Sequence, residues 1–398
     1  MTVHVLRPAA KERPFLPYGR QVIDEADIEA VADVLRSDFL TGGPAVAAFE
    51  TAFAEQVGAP YALACANGTA GLHLAMLALE IGPGDVVIAP TITFVATMNA
   101  ARFCGADVIF CDVDPATALM TPATLRDAIA RAGGRKIKAV LPVHMGGGLC
   151  DMPAIAAIAK EIGAAVVEDC CHALGTTRRD GLVGDCVHAA MSVFSLHPVK
   201  TIAAGEGGVV TTRDPDLAAT LRKFCSHGLE RHDFIDPEFS SDVDGGAAPW
   251  AYEMQALGYN YRLTDIQCAL AHSQLKKLPA FAARRRALSA LYGVALAPQR
   301  IDYVRMNAGA CPHLFIALLD FSRHPRRVVM ERLKAAGVGT QVHYMPAHRQ
   351  PYYKALYGAL DLPGAEAYYA RCLSLPLFAG MRHDDVTRVV DALGDALA

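Results

Sequence analysis

Seven short runs rich in apolar and β-branched residues recur along the first half of the chain. They lie at Tyr61–Cys65, Val86–Ala89, Asp107–Phe110, Ile137–Pro142, Ala164–Glu168, Ala189–Phe194 and Gly208–Thr212. Stretches with apolar residues at helical spacing separate the first five: Thr69–Leu79, Phe94–Phe103, Pro122–Ala132 and Met152–Ile162. A crossover helix returns the chain to the end of the sheet it left, so this alternation requires parallel strands with helices on both faces. The pattern predicts an α/β fold built on a mostly parallel seven-stranded sheet. Ligands in such sheets sit beyond the carboxyl ends of the strands, where helices begin. Two further helices, Asp24–Arg36 and Val46–Gln56, precede the first strand. After Asp265 the character changes. A helical region runs to about Val294, then come a strand (His313–Leu319), a helix (Arg326–Ala336), a strand (Thr340–Tyr344) and helices at Ala365–Cys372 and Asp384–Leu397. A chain of 398 residues exceeds what one hydrophobic core organises. The expected division is a large domain over 14–270 and a smaller α+β domain over 271–398.

Composition narrows the function. Apolar residues make up 53% and charged residues 20%, which excludes a disordered chain. A net charge of −4 favours neither nucleic acid nor an anionic membrane surface, and no basic patch stands out. Val57–Leu79 lacks Asp, Glu, Lys and Arg and is long enough to span a bilayer, but Pro60 and Asn67-Gly68 divide it into a strand, a turn and a helix. The first twenty residues lack the apolar centre of a leader peptide. Eleven cysteines with no CxxC pair read as free thiols in a reducing compartment. The expectation is a cytoplasmic protein without a metal centre. His227, His232 and Glu230 supply no third ligand, Asp244–Trp250 reads as a surface loop, and Trp250 as its anchor.

Four groups of residues fall where the fold would place a ligand. Glu168 and Asp169 close an apolar strand. A carboxylate there can cap the next element, or it can keep a cofactor's pyridine nitrogen protonated so that the ring takes up electrons. Lys200 follows Pro198 in an apolar segment, 31 residues after Asp169. It can be a solvated loop lysine, or a desolvated amine able to form a Schiff base. Gly205, Gly207 and Gly208 would let the backbone turn away from it. Asn67-Gly68-Thr69-Ala70 lies between strand and helix. It serves as an ordinary N-cap or as a phosphate site made of free amides and a helix dipole. Phe94 stands where another helix starts, in the core or as a stacking face for a ring.

Together these motifs carry a resemblance. SDFLTGGP (37–44), ANGTAGLHLA (66–75), PTITFVAT (90–97), VEDCCHALG (167–175), VFSLHPVKTIAAGEGG (193–208), SHG (226–228), GYNYRLTDIQCAL (258–270), HLF (313–315), QVHYMP (341–346) and SLPLF (374–378) are similar to motifs of the DegT/DnrJ/EryC1/StrS sugar aminotransferases. That family has the fold of pyridoxal phosphate (PLP) enzymes of fold type I. The resemblance runs from about Pro14 to the end. It implies PLP as cofactor and Lys200 as the Schiff-base and proton-shuttling lysine. It also implies Asp169 on the pyridine nitrogen, Phe94 against one ring face and His172 near the ring or its 3′-oxygen. Gly68, Thr69, Ala70 and Ser195 would bind the phosphate, joined by Asn260 from the partner subunit of a homodimer. Within the family, PYGRQ (17–21) and VHYMPAHRQPYY (342–353) are similar to the transaminases of pseudaminic acid synthesis. That subgroup implies a UDP-linked 4-keto-6-deoxy-N-acetylhexosamine as acceptor and L-glutamate as donor, in surface or flagellar glycan synthesis. Tyr18, Asp38, Phe39, Leu40, Thr41, His343 and Tyr344 would then line the nucleotide-sugar pocket.

Departures from the family pattern bear on the sugar. Gly42, Gly71, the Gly146–Gly148 run and Ala203-Ala204 each lose a side chain or polar group, and the glycines at 42 and 146–148 imply a roomier pocket. A dTDP- or GDP-linked sugar is the alternative acceptor. A PLP sugar dehydratase would carry histidine in place of Lys200, and a PLP-binding regulator would need a DNA-binding element. Arg284–Arg286 and Arg326–Arg327 read as solvent-facing, which leaves no arginine clamp for a dicarboxylate acceptor.

Overall fold

The structure is a computed structural model describing residues 14–246 and 248–398. Most of the N-terminal stretch read for a leader, and Ala247 of the expected surface loop, lie outside these residues. All seven expected strands form: β1 (Tyr61–Cys65), β2 (Val86–Pro90), β3 (Asp107–Cys111), β4 (Ile137–Val140), β5 (Ala165–Asp169), β6 (Met191–Ser195) and β7 (Gly208–Thr212). They build one sheet in the order β1-β7-β6-β5-β4-β2-β3. Only β7 runs antiparallel to its neighbours, β1 and β6; every other pairing is parallel.

Helices α1 (Glu25–Arg36) and α2 (Pro44–Val57) precede the sheet. Its crossovers are α3 (Gly68–Ala78), α4 (Ala96–Phe103), α5 (Pro122–Arg131) and α6 (Met152–Glu161). Proline in the first turn and a side-chain cap start several of these helices: Thr121 caps α5 and Asp151 caps α6. The uncharged stretch Val57–Leu79 resolves into β1 and α3 within the core, and no helix of the described residues is long and apolar enough to cross a membrane. Helix α7 (Pro215–Cys225), unread in the sequence, carries the same signature: Asp214 accepts from the amides of Asp216 and Leu217 ahead of Pro215.

Beyond a two-stranded ribbon, β8 (Leu229–Glu230) with β9 (Glu253–Met254), lie α8 (Asp265–Lys276) and α9 (Leu278–Leu296). Trp250, expected to anchor the intervening loop, is 64% exposed. A second sheet follows, formed by β10 (Asp302–Tyr303), β11 (Phe315–Leu318) and β12 (Cys372–Leu375), with α10 (Arg326–Ala335), α11 (Pro351–Tyr357), α12 (Pro363–Arg371) and α13 (His383–Leu397) around it. The strand expected at Thr340–Tyr344 does not form. Only Gln341 makes an isolated bridge, to Ser374, and β12 takes the place beside β11. The alternation of Val342 and Tyr344 looks strand-like, but Pro346 ends the run and its side chains face a cavity rather than a sheet.

Candidate active site

A cavity of about 870 Å³ opens at the carboxyl ends of β5 and β6. Asp169, the last residue of β5, is 5% exposed and points into it. Its Oδ2 accepts from the Thr97 hydroxyl at 2.8 Å, and its Oδ1 from the Cys171 amide at 3.1 Å. Side chains alternate along a strand, so Glu168 turns to the opposite face. There it is fully buried, accepting from His144 Nε2 at 3.0 Å, with the Arg178 guanidinium 3.9 Å away. His144, Glu168 and Cys170 bring ligand-type atoms within 4.8 Å of one another. Glu168 is already hydrogen-bonded and paired there, and the cluster reads as the support beneath β5.

Lys200 lies across the cavity, in the turn after β6 held by its own amide donating to His197 O at 2.8 Å. Burial pulls its ammonium below the ordinary lysine range, while the nearby Cys171 and Asp169 push it back up. The net fall raises the share of neutral, nucleophilic amine. Burial also pushes the Cys171 thiol well up, so that side chain stays neutral.

The third wall is the start of α3. Asn67 caps the helix by accepting from the Ala70 amide at 2.8 Å, and the Gly68 and Thr69 amides have no partner among the described residues. Ser195, the last residue of β6, stands opposite. A Cβ on Gly68 would come within 3.0 Å of Ser195 Cβ, and one on Gly208 within 2.4 Å of Asn67 O. Glycine at both positions is therefore what lets helix start and strand end approach. Phe94, 57% exposed, presents its ring at the mouth.

The remaining wall comes from the region of the second sheet. Tyr18, His313, Gln341, Val342, His343, Tyr344, Met345 and Gln350 line it. His343 Nδ1 pairs with Ser374 Oγ at 2.8 Å, and Tyr368 donates to the His343 carbonyl at 2.7 Å. Burial and the Lys200 charge depress His343 to about 3 and hold His172 and His313 well down.

Residues 21–394 match the DegT/DnrJ/EryC1/StrS aminotransferase family. The chain belongs to this family. It is similar to PseC of Helicobacter pylori, an aminotransferase involved in the biosynthesis of pseudoaminic acid. Identity is 27%, the TM-score is 0.86, and the match covers 96% of this chain and 99% of that one. Spr1654 of Streptococcus pneumoniae, described as a sugar aminotransferase and solved in its PMP form, matches at 26% identity and a TM-score of 0.86, over 96% and 98% of the two chains. DesI, solved in the presence of its TDP-sugar product, matches at 32% identity and a TM-score of 0.82, over 97% and 93%. The protein is a PLP-dependent aminotransferase of fold type I.

The cavity suits that cofactor. It offers free amides and a hydroxyl where a phosphate would sit, a carboxylate for a ring nitrogen, a flat aromatic face, and an amine with lowered basicity. Of the expected cofactor residues, Gly68, Thr69, Phe94, Asp169, His172, Ser195 and Lys200 converge here. Ala70 does not line the cavity, because its amide is spent on the Asn67 cap. Asn260 is exposed in its own chain, bridged to Ser226, and Asp38, Phe39, Leu40 and Thr41 are exposed beside the start of α8. One chain alone brings none of these five to the cavity. His313 went unassigned in the sequence although its HLF motif was visible.

Three expectations need correction. Gly146–Gly148 do not line the cavity, so they cannot enlarge it. Gly147 has φ of +100°, and a Cβ there would sit 2.2 Å from Cys311 O; the run serves close backbone packing. Gly71 has a packing reason too, since a Cβ would meet Val193 Cγ1 at 2.9 Å. Arg285 is not solvent-facing. It is 1% exposed and donates to the carbonyls of His313 and Leu377 at 3.2 and 3.0 Å. Three consecutive helical residues fan across some 200°, so one of Arg284–Arg286 had to face inward. Even so, no arginine lines the cavity among the described residues.

Proposed function

We propose that the protein transfers an amino group from L-glutamate to a nucleotide-linked 4-keto-6-deoxy sugar, with a UDP-linked N-acetylhexosamine as the preferred acceptor. The observation that carries the sugar is the cavity. It is large enough for more than a single-ring cofactor and a small amino acid. Whole-chain likeness to PseC supports the pseudaminic-type sugar, and likeness to DesI supports a TDP-linked one as the second reading.

PLP, when bound, supplies an electrophilic carbon and a cationic ring that takes up the electron pair released at the donor's Cα. The chain's own residues do the rest. Lys200 is the covalent anchor and then, freed by the donor amine, carries the proton from Cα as base and returns it as acid. Asp169, oriented by Thr97 and the Cys171 amide, holds a proton on the ring nitrogen. The Gly68 and Thr69 amides, the Thr69 hydroxyl and Ser195 hold the phosphate, while Phe94 covers one ring face. Tyr18, His343 and Tyr344 orient the sugar nucleotide. Asn260 and the Asp38–Thr41 segment reach a ligand only across a homodimer interface, and the exposed Phe39 and Leu40 are consistent with such a surface.

Glutamate supplied with UDP-, dTDP- and GDP-linked 4-keto sugars, with amino sugar detected by mass, tests the acceptor. Product from a dTDP- or GDP-sugar and none from the UDP-N-acetyl sugar would overturn that choice. Mixing inactive Lys200 and Asn260 variants tests the shared site: partial recovery of activity is expected, and an active monomer in sedimentation would exclude it.

A further inference from the structure

His172 is buried between the end of β5 and the His343–Tyr344 segment. Its ring lies 4.4 Å from that of His313 and nearly parallel to that of Tyr344, at 20°. It makes two polar contacts. The Gly146 amide donates to its Nδ1 at 3.3 Å, and its Nε2 meets Tyr344 Oη at 3.3 Å. A backbone amide has only a proton to give, so Nδ1 must be the bare nitrogen. Burial and the Lys200 charge keep the ring neutral, and a neutral imidazole carries a single proton. That proton sits on Nε2 and is donated to Tyr344 Oη. The tyrosine's own O–H then points elsewhere, and it has no other hydrogen-bond partner among the described residues. What lies there is the cavity.

The local backbone is arranged for this. Gly146 has φ of +65°, a conformation in which its amide faces His172. Its carbonyl is clamped from the other side by the amides of His313 and Leu314, at 2.8 and 3.2 Å. We propose that the Gly146 amide is a positioning group. It locks His172 as the Nε2–H tautomer and so makes Tyr344 a committed hydrogen-bond donor to an acceptor oxygen of the bound ligand. That oxygen is either the cofactor's phenolic oxygen or an oxygen of the sugar. The inference rests on the aminotransferase reading only in taking this cavity as the ligand site.

The tautomer can be read without turnover. In protein labelled with ¹⁵N-histidine, the two ring-nitrogen shifts of His172, assigned by their loss in His172→Asn, should report a neutral ring protonated on Nε2 near pH 7.5. A proton on Nδ1, or a cationic ring, would overturn the proposal whatever the substrate proves to be. The donor role is read in the holoenzyme. Tyr344→Phe should either shift the pH midpoint of the cofactor absorbance band with no sugar present, which identifies the cofactor oxygen, or leave the band alone and raise KM for the sugar about 3- to 10-fold, which identifies the sugar oxygen. If neither moves, the donor role is refuted. In His172→Gln the carboxamide offers an acceptor at one end and a donor at the other, so the wild-type readout should largely survive. His172→Asn is too short to span both partners and should reproduce Tyr344→Phe. Adding Tyr344→Phe to His172→Asn should then change the readout by less than about 2-fold. Full additivity of the two substitutions would sever the proposed chain.

Discussion

The two sides of the cavity are built by different means. On the side of the seven-stranded sheet, Asp169 and Ser195 are strand-terminal residues, Lys200 sits in the turn after β6, and Gly68 and Thr69 open a capped helix. Each is placed at the end of a regular strand or helix or in the turn that follows one. On the other side, Gln341–Met345 belong to neither strand nor helix and are held by long-range bonds, from His343 to Ser374 and Tyr368. The regular side carries the residues proposed for the chemistry that every turnover repeats. The irregular side presents histidine and tyrosine at positions a few substitutions could retune, which suits recognition of a particular sugar.

If this division is right, substitutions on the first side should strike catalysis and those on the second should strike binding. Lys200→Ala should lower turnover by at least about 10³-fold, because nucleophile and proton carrier are lost together. Circular dichroism should show an intact fold, and borohydride should no longer attach the cofactor. Near-wild-type turnover, or trapping on another lysine, would break the comparison at its strongest point. Asp169→Asn should retain some cofactor but lose about 10²- to 10³-fold in kcat, since a neutral partner no longer holds the ring cation. A change confined to KM would place Asp169 among the recognition residues instead.

Gly147 joins the two sides, packed against the carbonyls of Cys311 and His172. Gly147→Ala should cost about 2–4 kcal/mol in chemical denaturation, by forcing the backbone contact apart at a positive φ. An unchanged midpoint would mean that the two sides can shift relative to each other.

Acid should weaken the fold through the irregular side. His343 is depressed to about 3, and His172 and His313 lie well below the ordinary value. Below an unfolded-state pKa of about 6.5, the unfolded chain takes up protons that the folded state refuses. The stability contribution of these groups is therefore complete above that pH and lost as pH falls, by up to about 1.4 kcal/mol per pH unit for each neutral histidine. Denaturation of the cofactor-free protein between pH 7 and 5 measures it, and His343→Asn should flatten the slope. The smallest effect is expected for Tyr18→Phe. Tyr18 lines the cavity and its hydroxyl has no partner among the described residues, so KM for the sugar should rise about 3- to 10-fold with kcat nearly unchanged. A fall in kcat instead would move Tyr18 to the chemical side.

The same division governed what could be read in advance. The sheet, its crossover helices and the positions of Asp169, Lys200 and Asn67–Thr69 were legible because period, capping and strand ends are local properties. Helix α7 could have been found from Asp214-Pro215. Thr340–Tyr344 misled because alternation says how side chains are disposed along a run, not whether a neighbouring strand is there to pair with it.

The sequence by itself determined the fold class through apolar periodicity, and through its resemblance to a known family it pointed to the cofactor and to Lys200. Only the tertiary structure decided what the glycines and the histidines are for. A glycine's purpose depends on what approaches it, as Cys311 approaches Gly147 and Val193 approaches Gly71. A histidine's proton depends on its partners, and His172 takes them from Gly146, 26 residues before it, and Tyr344, 172 residues after it. Contacts between residues so far apart leave no periodic trace in the chain, because they are made by packing rather than by local backbone geometry.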